Sequence, residues 1–429
     1  SSEYRGGSGP LHVTRADLTN PIYKALIESG NQAGYPTTDD YNGYQQEGFG
    51  HADRVIYKGK RWSTCNAYLK PVLHRTNLSA EPKAMITRLI FEGNKAVGVE
   101  YQVGNEVRRA RAAKEVILSS GAVNSPQILM LSGIGDVNEL QNHGIPVVCH
   151  LPGVGQNLQD HPQIYVEYEC LQHICLHQYL KGLKRIVVGA QWFLNKSGPC
   201  GASHFDVVAF VKSDNNVPHP DVQFDFVPLS LNKVNGKFVS NGHGFRVSMS
   251  VSLQRPTSKG SIKLKTRNPR DHPAIQPNYL STQYDRDLTR KSLKMARHVI
   301  VQDAFKPFRG KELGPGSHVQ TDEEIDDFIR DNTTTNYHPS CTCKMGASSD
   351  VMAVVDSETR VYGVDGLRVV DASVMPSVVS GNLNAPTIMI AEKAADHIAG
   401  NEVLPREYVA VREVEEMLRR DEMLRRDEM

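Results

Sequence analysis

The sequence predicts an α/β part combined with a separate α+β domain. The α/β prediction rests on residues 77–162 and 338–400, where short apolar runs and turns lead into helices. The α+β prediction rests on residues 163–337, where strand-like alternation, as at residues 221–227, mixes with helical spacing, as at residues 286–301. At about 150 residues per domain, a chain of 429 residues has room for both parts.

The composition excludes several classes of protein. With 39% hydrophobic residues the chain can bury a large core, and 49 basic against 48 acidic residues give a formal net charge of +1. A balance this even offers no long-range attraction for nucleic acid, so we expect no nucleic-acid partner. The sequence has no apolar run near the roughly 18 residues of a membrane span. Seven cysteines argue against a secreted disulfide framework and fit a reducing compartment.

The elements of the first half follow from their spacing. Within residues 1–76, which predict mixed structure, residues 17–32 place apolar side chains at helical intervals. Residues 86–91 and 97–101 alternate around a glycine–asparagine turn and predict an antiparallel pair, and residues 115–118 predict a buried strand.

The elements near the end of the chain resemble those of the first half. Residues 367–370 predict a short buried strand, and residues 387–398 predict a helix with apolar residues on one face. The tail, residues 401–429, is highly charged and ends in a tandem repeat of six residues, 418–423 and 424–429. Two copies cannot build a repeat fold, so we expect a solvated or fraying extension.

A strand-to-helix turn lies within residues 119–135. Asn124 or Ser125 is expected to cap the helix, with Pro126 in its first position and Gly133 at its end. Small residues at such a turn let backbone amides approach an anionic or planar ligand closely. A tight structural turn without a ligand explains the same spacing.

Residues 336–346 present a histidine from a loop. Because His338 precedes a proline, its backbone is extended or in a turn rather than helical. His338, Cys341 and Cys343 are only three potential zinc ligands where a closed site needs four, so we predict no metal site. The two cysteines are expected to be buried packing thiols. A structural role for His338 remains an alternative.

A helix start follows at residues 384–387. Pro386 falls in its first turn, and the free amides and positive dipole end point at whatever lies beside Asn384. An ordinary helix start explains this pattern equally well. A reduced flavin, which is negative on its pyrimidine edge, would also be favoured there. Hydride loss from an alcohol needs a base for the hydroxyl proton, and near neutral pH that base is usually histidine.

Together, residues 119–135, 336–346 and 370–387 resemble the glucose–methanol–choline (GMC) flavoprotein oxidoreductases. The likeness runs from about residue 4 to residue 400 and is strongest to the choline-oxidising members, for example over residues 151–161. It implies a Rossmann-like FAD-binding domain, an antiparallel-sheet substrate domain, FAD as cofactor and choline as the alcohol oxidised.

The resemblance also implies site residues. His338 stands at the position of the catalytic base, and Asn384 at that of the partner binding the substrate oxygen. Asp206 stands where choline-oxidising relatives carry a glutamate for the trimethylammonium group. The residues implied to line the flavin are Ile86, Asp371, Ala372, Asn382, Pro386 and Thr387. Another GMC alcohol dehydrogenase, or a flavin-free and catalytically silent protein, are the alternatives.

One departure from the family concerns the first βαβ unit. The sequence contains no GxGxxG, so the turn that binds the pyrophosphate and its ribose-binding acid are absent from these residues. We therefore expect the chain to be the C-terminal portion of a longer enzyme and to bind FAD poorly by itself. The resemblance further implies an electron acceptor such as a quinone or electron-transfer chain, and peripheral attachment to the mitochondrial inner membrane.

Overall fold

The structure is a computed structural model of the chain. It describes residues 3–179, 182–229, 231–234, 237–240, 246–405, 407–412 and 415. The tandem repeat at residues 418–423 and 424–429 therefore lies outside the described residues, and the expectation of a solvated extension stays a prediction.

A large antiparallel sheet forms the centre of the α+β part. Its strands, in spatial order, are Gly48–His51, Val207–Val211, Val222–Val227, Arg246–Leu253, Pro162–Cys170 and Arg309–Gly314, with Thr334–Thr335 beside the start of Pro162–Cys170. Apolar side chains from the helices Pro21–Gln32, Gln283–Ile300 and Asp322–Asn332 pack in one core with this sheet. The predicted strand at residues 221–227 is thus confirmed as a central strand.

The two faces of the large sheet differ in polarity because side chains alternate along a strand. In Val222–Val227, Phe224 and Phe226 are buried in the core with the helices. Gln223 and Asp225 alternate with these residues along the strand and lie on the opposite face. The register places Asp225 opposite Ser250 of the next strand, and Ser250 opposite Tyr165 of the strand after that. One face of the sheet is therefore polar in this region.

The α/β part contains the predicted meander and buried strands. Ala84–Glu92, Lys95–Val103 and Glu106–Arg111 form an antiparallel sheet joined by glycine turns. Val116–Leu118 pairs in parallel with Leu367–Val369, so two segments far apart in sequence lie side by side. Their apolar residues, with those of the helix Gly121–Leu131, form a second core.

Residues 1–76 contribute to the large sheet rather than standing apart from it. Gly48–His51 is a strand of that sheet and pairs with Val207–Val211, and Pro21–Gln32 packs in its core. Conversely, Ile262 and Leu264 lie within residues 163–337 but pack in the second core. Each core therefore contains residues from more than one of the segments expected from the sequence, and the segment boundaries stay a prediction.

Three helices agree with their sequence patterns. Pro21–Gln32 begins after Asn20, whose side chain accepts a hydrogen bond from the backbone N–H of Ile22. Gln283–Ile300 begins after the capping residue Thr282, and Asn384–Ala399 carries Pro386 in its first turn, as predicted. Asn384–Ala399 ends at Gly400, which has the left-handed conformation that glycine adopts without strain.

The helix expected to begin at Pro126 instead begins five residues earlier. Gly121–Leu131 contains Pro126 in its interior, so the sequence prediction of its start and cap was wrong. The carboxylate of Asp371 accepts hydrogen bonds from the backbone N–H of Gly121, at 2.9 Å, and from the hydroxyl of Ser125. This distant carboxylate binds the start of the helix, a contact that local sequence does not reveal.

Pro126 is tolerated inside the helix because a side chain replaces the missing donor. Proline has no N–H for the carbonyl four residues earlier, which here belongs to Ala122. The hydroxyl of Thr342 donates to that carbonyl at 2.6 Å. Thr342 is fully buried, so this hydrogen bond links the helix to the loop that carries His338.

The remaining elements are short or peripheral. The strand pairs are Thr14–Arg15 with Asp53–Arg54, Ile56–Tyr57 with Lys60–Arg61, Ile134–Gly135 with Cys149–His150, Leu231–Val234 with Lys237–Ser240, and Ser261–Lys263 with Ala274–Gln276. The other α-helices are Val137–Asn142 and Gly182–Asn195, and the short helical turns are Cys65–Leu69, Lys70–Val72, Leu176–Tyr179, Pro199–Gly201, Asp303–Phe305 and Ala372–Val374. Among the described helices, none is long and apolar enough to span a bilayer.

Candidate active site

His338 is brought to the site by strand pairing at the end of the large sheet. Thr335 pairs with Pro162, which places the loop after Thr335 beside the residue before Pro162, His161. The backbone N–H of His338 donates to Asp160 Oδ1 at 2.9 Å, and the hydroxyls of Thr335 and Tyr279 donate to Oδ2 of the same carboxylate. Asp160 therefore fixes the position of the loop.

The imidazole rings of His161 and His338 form a direct hydrogen bond. Their Nδ1 atoms are 2.9 Å apart, and the rings meet edge to face. His161 is fully buried, and its Nε2 lies 2.9 Å from the carbonyl oxygen of Val379. His338 is half-buried at the edge of a large cavity.

This pattern assigns the tautomers of both rings. A carbonyl oxygen only accepts, so Nε2 of His161 carries the proton and its Nδ1 is an acceptor in the neutral ring. The proton between the two rings then belongs to Nδ1 of His338. Neutral His338 consequently has an unprotonated Nε2, which is the atom a base uses.

Asn382 faces this unprotonated nitrogen. Its amide Nδ2 lies 3.4 Å from His338 Nε2, and its Oδ1 lies 3.5 Å from the amide Nε2 of Gln223. The resemblance implies Asn384 as the partner of His338, with Asn382 at the flavin. In the structure both asparagines line the cavity, and the hydrogen bond to His338 comes from Asn382.

Burial controls the protonation of both histidines. It lowers the pKa of His338 below its usual range, and the nearby charge of Asp160 opposes that shift. Burial, together with repulsion by a charged His338, lowers the pKa of His161 to about 3. Both rings are therefore neutral at pH 7, as the assigned tautomers require.

A cavity of about 820 Å³ contains this site, within the size range of ligand pockets. Residues of the large sheet, the loops around His338 and the start of Asn384–Ala399 line it. The lining residues that bear on the chemistry are Tyr41, Asp53, Arg54, Lys60, Arg61, Phe205, Asp225, Asn336, His338, Asn382, Asn384 and Ile388.

Asp206, implied to pair with a cationic substrate, is occupied by an internal partner. Its carboxylate lies 3.0 Å from Nη1 of Arg54, and its side chain is almost fully buried. Arg54 lines the cavity, whereas Asp206 is not among the lining residues. Burial raises the pKa of Asp206, and the charge of Arg54 opposes that change. The assignment of Asp206 to the substrate stays a prediction.

The cavity wall at Asn384–Ala399 fits the redox end of a flavin. This helix has no side-chain cap, so amides of its first turn are not satisfied by a capping side chain, and Asn384 and Ile388 of that turn line the cavity. Pro386 and Thr387 are half-buried in the same turn. Unsatisfied amides at a helix N-terminus favour a group that becomes negative when reduced.

A second cavity, of about 420 Å³, lies at the meander and contains Ile86. Ser120 and Asn124, at the start of Gly121–Leu131, also line it. Its size and its place beside that turn fit an adenine-type ring.

Asp371 and Ala372 make internal hydrogen bonds, and their assignment to the flavin stays a prediction. The Asp371 carboxylate is used by Gly121, Ser125 and the backbone N–H of Ser373, and the carbonyl of Ala372 accepts from the N–H of Cys341. These bonds hold together the turns that flank the cavity.

The cysteines pack as predicted. Cys341 and Cys343 are fully buried, and Cys343 belongs to the second core. Within the part of the chain that the structure describes, no cluster of three His, Cys, Asp or Glu side chains could hold a metal ion.

Two family models match the sequence. The N-terminal and C-terminal models of GMC oxidoreductases cover residues 2–163 and 256–391. The chain belongs to the GMC oxidoreductase family. Members of this family are FAD-dependent, and the chain is accordingly an FAD-dependent oxidoreductase.

Three curated relatives of this GMC oxidoreductase are choline dehydrogenases. The chain is 53% identical to mitochondrial choline dehydrogenase of Mus musculus over 95% of this chain and 68% of the relative, and 54% identical to the Homo sapiens protein over 94% and 68%. It is 46% identical to oxygen-dependent choline dehydrogenase of Brucella ovis over 94% and 73%. The chain therefore spans 68–73% of the length of these relatives.

Solved structures share the GMC fold of the chain. Formate oxidase from Aspergillus oryzae RIB40 superposes with a TM-score of 0.85 at 27% identity, covering 92% of this chain and 73% of that one. Pyridoxine 4-oxidase from Mesorbium loti gives 0.81 at 29% identity, covering 93% and 74%. The fold predicted from the resemblance, an FAD-binding domain with an antiparallel-sheet substrate domain, is confirmed.

Three residues of the site were not assigned these roles from sequence. His161 ends a segment that contributed to the family resemblance, but nothing local links it to His338. Gln223 and Asp225 are two of the three polar positions in the alternation of residues 221–227, and that alternation was the available signal. A polar residue at every second position of a central strand indicates a face turned toward a ligand or solvent.

Proposed function

We propose that the protein oxidises the primary alcohol of choline to betaine aldehyde. The observation that carries the proposal is the unprotonated Nε2 of His338, held toward the cavity by His161 and faced by the amide of Asn382. The names of the curated relatives support choline as the substrate.

In the proposed reaction the protein binds the alcohol oxygen and removes its proton, and FAD accepts the hydride. His338 Nε2 removes the hydroxyl proton, because it is the unprotonated atom of a ring that stays neutral at pH 7. The amide N–H of Asn382 donates to the substrate oxygen and holds it beside that nitrogen. FAD, when bound, supplies the acceptor for the hydride that leaves the alcohol carbon.

FAD would be held by several of the residues implied by the resemblance. The uncapped start of Asn384–Ala399, with Pro386 and Thr387, would lie at the flavin ring, and Ile86 would lie at the adenine. Asn384 and Asn382 are two residues apart on one wall, so we propose Asn382 for the substrate oxygen and Asn384 for the flavin side. Asp371 and Ala372 would position this wall through their internal hydrogen bonds.

The location and the electron acceptor are further parts of the proposal. Because two relatives are named as mitochondrial, we infer a mitochondrial location for this protein. Peripheral attachment to the inner membrane, and electron transfer to a quinone or an electron-transfer chain, follow from the family resemblance alone.

The test is product formation by the FAD-loaded protein. Choline and a panel of neutral alcohols are supplied with an artificial electron acceptor, and betaine aldehyde is measured by mass spectrometry. We expect choline to be oxidised with the highest kcat/KM. Oxidation of a different alcohol in preference to choline would overturn the substrate assignment. Absence of any alcohol oxidation by protein that shows the absorbance of bound flavin would overturn the reaction.

A further inference from the structure

Asp225 is a carboxylate on the wall of the cavity without a cationic partner. The cavity lining contains two carboxylates, Asp53 and Asp225. Asp53 lies 2.7 Å from the guanidinium of Arg5. Within the described residues, Asp225 is in no ion pair, and both of its oxygens accept from the single amide Nε2 of Gln223, at 2.9 and 3.1 Å.

The amide group that contacts Asp225 is itself only partly satisfied. Gln223 is fully buried, and its Oε1 has no hydrogen-bond partner within the part of the chain that is described. Burial raises the pKa of Asp225 to about 6, although the hydrogen bond from Gln223 opposes that change. The carboxylate is therefore ionised at pH 7 and only partly compensated.

Aromatic rings stand near this carboxylate. Tyr41 lines the same cavity as Asp225, and the strand register places Tyr165 two strands away from Asp225 on the same face of the sheet. The Tyr41 ring lines the cavity and stacks on Phe210 with centroids 5.3 Å apart, and Phe205 also lines the cavity. A carboxylate with aromatic walls is the environment that attracts a quaternary ammonium group.

Asp225 and the base line the same cavity and are linked by two amide side chains. The amide of Gln223 lies between the Asp225 carboxylate and Oδ1 of Asn382, and Asn382 contacts His338. The anionic group and the nitrogen that receives the proton therefore belong to one site. Choline carries its alcohol oxygen and its charged nitrogen on adjacent carbons, so it presents one group to each of these two positions.

The cations of the cavity do not cancel this charge. Arg54 is paired with Asp206, and Lys60 and Arg61 are exposed, where water and salt screen them. The carboxylate implied by the family resemblance, Asp206, is thus neutralised internally, whereas Asp225 is not.

From these contacts we propose that Asp225 is the group that recognises the cationic head of the substrate, with Tyr41 and Phe205 as aromatic walls. The inference rests on the proposed function, because it requires an alcohol substrate with a quaternary ammonium group. If Asp225 has this role, the polar face of the large sheet determines whether the protein prefers cationic or neutral alcohols.

The experiment compares choline with 3,3-dimethylbutan-1-ol, in which carbon replaces the charged nitrogen. The KM of each alcohol is measured with the FAD-loaded protein, and its dissociation constant is measured by calorimetry. The proteins compared are wild type, Asp225→Asn and Asp206→Asn. We expect Asp225→Asn to weaken choline binding roughly 10–100-fold, the lower part of the range for a close charge pair, and to leave the neutral alcohol within about twofold. Asp225→Glu, which retains the charge, should recover part of the preference.

The outcomes separate the two proposals. Unchanged choline preference in Asp225→Asn, with loss of that preference in Asp206→Asn, would overturn the role of Asp225 and leave the proposed function intact. A wild-type protein that oxidises other alcohols but neither binds nor oxidises choline would overturn the proposed function. Circular dichroism of each variant verifies the fold, and Asp225→Glu keeps the proposal falsifiable if Asp225→Asn does not fold.

Discussion

His161 Nδ1 lies 2.9 Å from His338 Nδ1, and the opposite nitrogen of His161 lies against the carbonyl of Val379. Two histidines in contact would repel each other if both were charged, and burial of His161 excludes that state at neutral pH. The contact between the two rings therefore keeps the proton of His338 on Nδ1 and leaves its Nε2 unprotonated.

Replacing His338 should remove the base of the reaction. We expect His338→Ala to lower kcat for alcohol oxidation by roughly 10²–10⁴, the scale of a lost general base. The measurement is steady-state turnover of the FAD-loaded protein, with His298→Ala, an exposed histidine on Gln283–Ile300, as the matched control. Near-normal turnover in His338→Ala would exclude this residue from the chemistry.

Replacing His161 should change the tautomer of His338. His161→Leu removes the acceptor for Nδ1–H, so Nε2 of His338 becomes protonated in part of the molecules and kcat falls while KM changes little. His161→Gln offers an amide oxygen as a substitute acceptor and should recover activity. Nitrogen chemical shifts of labelled His338 report the tautomer directly, and an unchanged shift in His161→Leu would contradict the assignment.

Acid should reduce catalysis in two steps that different substrates can separate. The groups facing His338 are His161, Asp160 and, through Gln223 and Asn382, Asp225. His338 has a lowered pKa, so kcat/KM for a neutral alcohol should fall only below the usual pH range of histidine. For choline an additional fall is expected near pH 6, where Asp225 becomes protonated. Identical pH profiles for both substrates would contradict this.

Acid should also destabilise the fold through His161. Its pKa is about 3 in the folded protein, against 6.5 for a histidine exposed to water as in the unfolded chain, so the unfolded chain binds a proton that the folded chain excludes. The stability conferred by the neutral ring is present above pH 6.5 and is lost as the pH falls toward 3. We expect His161→Gln to reduce the drop in melting temperature between about pH 7 and pH 5, measured calorimetrically beside wild type.

The bond between Thr342 and Ala122 should contribute to stability because Pro126 leaves the carbonyl without its helical donor. Thr342→Val would leave a buried carbonyl unsatisfied, at a cost of about 1–3 kcal/mol. In a Pro126→Ala background the restored N–H should compensate, so the same change should cost less. Urea denaturation of the four proteins measures the coupling, and equal costs in both backgrounds would refute it.

Local patterns were sufficient for most elements but not for contacts between distant segments. Glycine turns predicted the meander, and helical spacing predicted Gln283–Ile300, because both depend on neighbouring residues. The start of Gly121–Leu131 was misplaced because its cap is Asp371, far along the chain. Proline is common in the first turn of a helix. Here the helix begins before Pro126, because Asp371 binds the backbone N–H of Gly121 and Thr342 donates to the carbonyl that Pro126 leaves without a donor.

The site was predicted in its parts and not in its connections. His338 was singled out because residues 336–346 resemble a family motif. A second segment, residues 370–387, carries Asn382 and Asn384, and in the structure Asn382 is the one that contacts the ring. The resemblance implies Asp206 at the substrate. In the structure, the pairing of Gly48–His51 with Val207–Val211 places Arg54, three residues after the first strand, against the carboxylate of Asp206. Such ion pairs depend on strand partners that a single sequence does not specify.

Because one wall of the cavity is a pleated sheet, its side chains stand on a grid, with steps of about 4.8 Å between strands and about 6.7 Å between same-face residues of one strand. Asp225 and Val208 are adjacent points of that grid, and both line the cavity. Moving the carboxylate from one to the other would displace the anionic position by one step while His338 stays in place. The position of the carboxylate on the sheet would then set the distance between the alcohol group and the cationic group that the enzyme accepts. Choosing that position is a rational route to altered chain-length selectivity.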